Sequence, residues 1–265
     1  MDKQAVREAV WDAFEAGDQA RFPFPPHDRI PNFAGADAAC ERLTETPEWA
    51  AAATLKCNPD APQLPVRRAA LRAGKTVYVA QPRLRDPDPF LRLEPDELAG
   101  SDDATDRPTV DDATTVSGIS THGTPVAPEA VPHVDLVVSG SVAVATDGAR
   151  IGKGEGYSDL EWGVLREIDA VDDETTVATT VHELSVIDGP ESAVGGAGDG
   201  DGDASTPALP EPDAHDVPLD LIVTPERTIR TETPYERPPG IDWDALDPER
   251  LDAIPVLAER APERK

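Results

Sequence analysis

The sequence predicts an α/β protein, an open three-layer αβα sandwich around a mostly parallel sheet, built as a single domain over residues 1–265. Three observations predict it. Residues 51–82 read as strand, helix, strand with short connections, the pattern of a βαβ unit and hence of a parallel pair. The run VDLVVSGSVAVA at 134–145 is apolar and β-branched, the mark of a strand buried on both faces. A glycine-rich bend, a helical stretch and two further strand-like runs follow it, so helices are available for both faces of one sheet.

Each element has its own signal. KQAVREAVWDAFEAG places Val6, Val10, Trp11 and Phe14 at helical spacing, with Gly17 as the stop. RFPFPPHDRIPNF is proline-rich and reads as irregular. AGADAACERLTETPEW reads as a second helix ending before Pro47, and AAATLKC as a short strand. NPDAPQ is loop chemistry, after which LPVRRAALRAG carries proline near its start and glycine at its end, the asymmetry helices favour. KTVYVAQP is a strand closed by Pro82. An acidic loop follows at about 99–115, then the long apolar run as one strand, then SDLEWGVLREIDAV as a helix. TTVATTVHELSVID and VPLDLIVTPERTIRT read as a strand region and as a last strand or hairpin. Between them the Gly/Asp-rich insertion at about 191–207 has the composition of a disordered surface segment. The C-terminal PPGIDWDALDPERLDAIPVLAER predicts one or two short helices packing back on the domain.

Composition narrows the function. The formal net charge is −28, and lysine is scarce: Lys3, Lys56, Lys75, Lys153 and Lys265 are all there are. Such a surface repels phosphates, which excludes non-specific nucleic-acid binding. The acids are spread along the chain rather than gathered in a tail, which points to a salt-rich cytoplasm rather than a basic partner. The N-terminus is amphipathic and charged, unlike a signal peptide, and no run approaches a membrane span. A cytoplasmic protein, a monomer or weak homodimer with no membrane partner, is therefore expected. Cys40 and Cys57 fit neither a zinc site nor a disulfide framework.

The stretch RIGKGEGYSD, 150–159, carries the chemistry. It follows the apolar run after a turn at Asp147–Gly148 and precedes a helix, the place where α/β sheets bind phosphates. Glycines let backbone N–H groups approach oxygens and form an anion nest, and Lys153 adds a positive charge. Asp159, near the helix start, is free to ligate magnesium or to cap the helix. The spacing matches neither of the two common glycine fingerprints, so an ordinary turn remains the competing reading. Lys3 and Arg7 are one helical turn apart and share a face.

KQAVR at the N-terminus, GSVAVATDGARIGKGEGYSD in the middle and AHDVPLDLIVTPERTI near the end occur in this order in the 5-formyltetrahydrofolate cyclo-ligase family, which the chain resembles discontinuously over most of residues 3–230. KCNPDAPQLPVRRAALRAGKTVYVAQPRL and RIGKGEGYSDLEW are most similar to the branch of methenyltetrahydrofolate synthetase domain-containing proteins. The resemblance implies the family's open three-layer sheet. It also implies ATP- and Mg²⁺-dependent closure of 5-formyltetrahydrofolate to 5,10-methenyltetrahydrofolate, with release of ADP and phosphate. Phosphorylation of the formyl oxygen turns a poor leaving group into a good one, so positioning and charge neutralisation are the main demands.

By position, the resemblance assigns Lys3 and Arg7 to the nucleotide phosphates. It assigns Arg150, Ile151, Gly152, Lys153, Gly154, Glu155, Gly156 and Tyr157 to the nucleotide loop, with Lys3, Arg7 and Lys153 as the catalytic cations. It assigns Asp159 and Asp216 to magnesium, and Asp60 with Tyr157 to the folate. Ser158 and Leu160 depart from the family pattern, which has a second tyrosine and often a basic residue there; Glu161 follows. The nucleotide half of the site is therefore expected to be more complete than the folate half, and a non-catalytic nucleotide- or folate-binding regulatory module is the alternative. His122 and His182 read as structural.

Overall fold

A computed structural model describes residues 2–99, 107–187 and 209–262. Helix α1 (Lys3–Ala16) starts at Asp2, whose carboxylate accepts the Ala5 N–H, and buries the four apolar residues its spacing predicts. The proline-rich stretch is clipped by a small antiparallel pair, β1 (Ala20–Arg21) with β2 (Asn32–Phe33). The second predicted helix is two helices, α2 (Ala36–Thr44) and α3 (Pro47–Ala51). Thr46 caps the second of them, and Pro47 begins it rather than ending the first, because proline needs no N–H partner in a first turn.

The expected βαβ unit is β3 (Thr54–Cys57), α4 (Leu64–Arg72) and β4 (Thr76–Ala80), with the strands parallel. Strand β5 (Phe90–Leu93) follows. The stretch expected as an acidic loop then contains α5 (Val110–Ala113), with residues 100–106 outside the described part. Thr109 and Asp112 form a reciprocal capping box and Ala113 is fully buried, so local capping wins over the acidic composition. Helix α6 (Val116–His122) and strand β6 (Thr124–Val126) complete that edge.

The run expected as one long strand is two. Strand β7 (Leu136–Val138) belongs to the large sheet, and β8 (Ala143–Ala145) pairs with β9 (Arg150–Ile151) in a separate small one. Between them Ser139, Gly140 and Ser141 leave the ladder. The Gly140 N–H donates to Asn58 Oδ1 at 3.1 Å, and the hydroxyls of Ser141 and Thr179 meet at 2.9 Å. Apolarity alone cannot separate one buried strand from two buried in different sheets. Helix α7 (Tyr157–Glu167), β10 (Thr176–Thr180) and β11 (Val186–Ile187) come next. Strands β12 (Leu221–Val223) and β13 (Thr228–Arg230) form the last hairpin, and α8 (Pro248–Ala253) and α9 (Pro255–Arg260) the expected C-terminal helices. The insertion expected at 191–207 lies outside the described residues.

The large sheet has the order β13-β12-β10-β7-β3-β4-β5-β6, parallel from β12 to β4 and antiparallel at both edges. Side chains alternate across it with period two. Leu55, Cys57, Val77, Val79, Leu136 and Val138 pack against α2, α4 and α6 on one face. Tyr78, Ala80, Val137, Val177 and Ile222 pack against α7, α8 and α9 on the other. Helix α1 buries its stripe against the small sheet instead, in a third cluster with Val142, Ala143 and Ile151. The chain thus crosses from the large sheet to the small one next to the glycine-rich bend.

Candidate active site

The bend runs from β9 to α7. Gly154 and Gly156 both have positive φ, 105° and 65°, which only glycine adopts without strain. Gly156 stands at the start of α7, and no side chain caps that end. Asp159 therefore does not cap: its carboxylate pairs with the Arg150 guanidinium and accepts the Val217 N–H at 3.2 Å. Arg150 also donates to the Gly140 carbonyl at 3.0 Å, so this buried arginine ties the bend to the strand crossing rather than facing solvent. Ile151 is buried in the small-sheet core and anchors the bend from below.

One cation of α1, Arg7, reaches this bend, while Lys3 turns to the aspartates of the 213–216 turn. Arg7 Nε donates to the Gly152 carbonyl at 2.7 Å, and its guanidinium lies 3.3 Å from where a Cβ on Gly154 would stand. Lys3 pairs with Asp213 at 2.7 Å and with Asp216. Burial works against the Lys3 ammonium, but its hydrogen bonds to both aspartates hold it above the usual value, and the same contact holds the Asp213 carboxyl below its own. Lys153 pairs with Glu155 at 2.7 Å. Burial opposes its charge too; the bond to Glu155 and the charges of Asp60, Glu155 and Glu161 outweigh it and raise the value.

The bend and its Lys153 line one end of a cleft of about 760 Å³; Lys3, Arg7 and Asp216 stand behind that wall rather than on it. Gly152, Lys153, Glu155, Gly156 and Tyr157 form that end, and Asn58, Asp60, Ser158 and Glu161 lie along its floor. Asp60, assigned by the resemblance to the folate, lines this cleft, and burial pushes its carboxyl up. Arg67, buried beside it, donates to the carbonyls of Asn58, Asp60 and Thr114 and fixes the NPDAPQ loop. The rim carries Phe22 and Val116, which are 78% and 55% exposed although both are large and apolar.

Asp159 and Asp216 offer the hard oxygen donors that Mg²⁺ takes. Each carboxylate is held by a cation, Arg150 or Lys3, and the two converge through the Asp159 bond to Val217, the residue after Asp216. Among the described residues the group of ligand atoms within 4.8 Å of one another is Asp213, His215 and Asp216; Asp159 is outside it.

Sequence reasoning misses two participants. Arg250 of α8 places its guanidinium 5.1 Å from the centre of the Tyr157 ring and donates to the Glu155 carbonyl. Nothing in its DPERLD context signals a loop 95 residues away. Lys56, in the middle of β3, is 1% exposed and pairs with Glu161 of α7. A lysine inside an apolar strand pattern is a visible signal, since a buried ammonium needs a partner. His182 is structural as expected: its Nδ1 accepts the Leu184 N–H at 3.1 Å, and its ring sits 5.6 Å from that of Phe14.

A model of the 5-formyltetrahydrofolate cyclo-ligase family matches residues 3–190. A Bos taurus "Methenyltetrahydrofolate synthase domain-containing protein" is 38% identical over 257 residues, covering 97% of this chain and 61% of its own length. The Mus musculus protein of the same name is 39% identical over 257 residues, with 97% and 62% covered. The chain thus spans about three-fifths of the length of these relatives. Among solved structures, the NMR structure of Aquifex aeolicus 5,10-methenyltetrahydrofolate synthetase superposes with a TM-score of 0.49 at 17% identity, covering 89% of this chain and 96% of that one.

Proposed function

Because the chain belongs to the 5-formyltetrahydrofolate cyclo-ligase family, we propose that it closes 5-formyltetrahydrofolate to 5,10-methenyltetrahydrofolate at the cleft between the glycine bend and the NPDAPQ loop, consuming ATP. The observation that carries this reading is the contact of Arg7 with Gly152, which joins a cation of the first helix to the bare bend at one end of the cleft. Backbone N–H groups of the bend, with Arg7 and Lys153 beside them and Lys3 one turn before Arg7 on the same helix, suit a polyphosphate. Asp159 and Asp216 would hold magnesium, which supplies charge neutralisation on the phosphates when bound. Tyr157 and Asp60 border the remaining space, where a folate would be held against the nucleotide. What the chain contributes is orientation: Arg150 fixes the root of the bend, Arg250 fixes its tip, and the cleft wall keeps the two reactants adjacent.

Incubation with Mg-ATP and 5-formyltetrahydrofolate at high salt is expected to yield ADP and a product absorbing in the near ultraviolet. A protein that binds ATP yet forms no such product would overturn the reading. It would favour a nucleotide- or folate-binding regulatory module, detectable by calorimetry as saturable binding without ADP release. One observation favours that alternative: Lys3 and Lys153 are both already paired with carboxylates of the protein. A substrate phosphate must displace those partners, and the two readings differ in whether it does.

A further inference from the structure

Lys56 occupies the centre of the large sheet, opposite Val137 of β7 and Tyr78 of β4, and points to the α7 face where its neighbours are apolar. Lys56 and Glu161 are 1% and 4% exposed. Two apolar side chains would fill the same space with no desolvation cost, so packing alone does not account for this pair. Its geometry leaves something over. Glu161 Oε2 takes both Lys56 and the Asn58 amide, the latter at 3.4 Å, while Oε1 has no protein donor among the described residues and Glu161 borders the cleft.

Further acceptors lie nearby, Asp60 on the same wall and Gln63 just behind it. Asp60 Oδ2 and Gln63 Oε1 stand 3.2 and 3.3 Å from where a Cβ on Gly140 would be. Gln63 is fully buried, and its Oε1 has no hydrogen-bond partner among the described residues. Ser158, small where the family pattern has a ring, leaves this floor open; its hydroxyl lies 3.4 Å from both Asn58 Oδ1 and Ser139 Oγ. The cleft is therefore polarised, with cations at the glycine bend and hydrogen-bond acceptors on the floor. The floor carboxylates are already balanced by lysines, since Lys56 pairs with Glu161 and Lys153 feels both Asp60 and Glu161. That balance disfavours a divalent cation and favours neutral N–H donors.

We propose that Glu161, held in place by Lys56, is a specificity-determining residue that accepts, with Asp60, hydrogen bonds from the 2-amino edge of a pterin ring. The proposal rests on the folate reading above for the identity of the ring. Lys56 is a positioning residue that fixes the carboxylate and leaves one oxygen for the ligand.

The test uses two ring probes without formyl group or side chain: tetrahydropterin, which has the 2-amino group, and its 2,4-dioxo counterpart, which lacks it. Calorimetry at high salt on the full chain is expected to show wild-type protein preferring tetrahydropterin by about 10-fold or more, since an unpaired buried acceptor disfavours the wrong ring. Glu161→Gln keeps volume and offers an amide donor, so the preference is expected to vanish or invert. The pair Lys56→Met/Glu161→Leu, which replaces the ion pair by apolar groups, is expected to fold, to bind an ATP analogue like wild type, and to lose tetrahydropterin. Equal binding of both probes by wild type, no binding of either, or an unchanged preference in Glu161→Gln would overturn the proposal; should the double variant not fold, Glu161→Gln alone decides. Ring preference without turnover of 5-formyltetrahydrofolate would sink the ligase reading and leave this one standing, whereas turnover without ring preference would do the reverse.

Discussion

Arg7 is the residue on which the site's geometry turns. Its guanidinium is partly withdrawn from water and donates to a backbone carbonyl in the bend it faces, so replacing it removes a charge-assisted hydrogen bond and, on the proposed reading, a phosphate partner as well. Such a bond is worth about 1.5–3 kcal/mol, and Arg7→Ala is expected to weaken ATP-analogue binding by roughly 10- to 100-fold, read by calorimetry. Unchanged affinity would mean that the contact only packs α1 against the bend. His182 makes a different point, because its effect is on stability. Burial depresses its basicity, and Nδ1 accepts a backbone N–H, which a proton there would turn into a donor–donor clash. For a base with a lowered folded-state value, the unfolded chain takes up the proton first. The stabilisation is thus complete above the ordinary histidine value of about 6.5 and is lost as pH falls through the folded-state value. Denaturant midpoints measured from pH 8 to pH 5 are expected to fall more steeply in wild type than in His182→Asn, where an amide oxygen can replace the acceptor; parallel curves would show that His182 does not titrate in that window.

At the scale of elements, the bend is held from both ends of the chain. Arg7 of α1 reaches one side of it and Arg250 of α8 the other, 243 positions apart in sequence. Arg250 combines a carbonyl bond with a cation–π contact to Tyr157; together these are worth about 1–2 kcal/mol. Arg250→Ala is therefore expected to raise amide exchange across residues 152–157 and to weaken nucleotide binding severalfold, while Arg250→Lys, which keeps charge but loses the flat guanidinium, should recover only part of it. Exchange in the bend that is identical in all three proteins would show α8 to be independent of the loop. This contact also marks the boundary of what the chain discloses unaided. Period-two and helical spacing made β3, α4, β4, α1 and α7 legible, because each buries a stripe set by its own residues. The split at Ser139–Ser141 was not legible, since it depends on Asn58 and Thr179 supplying hydrogen bonds from other elements. The glycine bend is legible as a bare connection between a strand and a helix, but Asp159 is not legible as the partner of Arg150, because both capping and ligation fit its local position equally well.

Taken whole, the molecule cannot balance its charge from within. Its formal net charge is −28 and it has only five lysines. The arginines that do pair at the surface, such as Arg230 with Glu48 or Arg166 with Asp173, do so with side chains that remain partly in water; such pairs are individually worth little, about 0–1 kcal/mol. The remaining carboxylates repel one another over distances that only solution ions can shorten. The screening length falls from roughly 10 Å at 0.1 M salt to roughly 3 Å at 1 M, so most of the self-repulsion of the folded state is relieved within that range. The unfolded chain spreads the same charges over a larger volume and gains less from screening. The thermal midpoint is accordingly expected to rise steeply with NaCl and then to level off near molar concentration, and KCl should trace the same curve because screening depends on ionic strength. Sucrose, which acts by exclusion from the surface, should give a shallow, steady rise instead. A midpoint indifferent to NaCl would mean that the acids are already neutralised in ways the visible ion pairs do not show, and a linear rise without a plateau would assign the effect to solute exclusion rather than to charge.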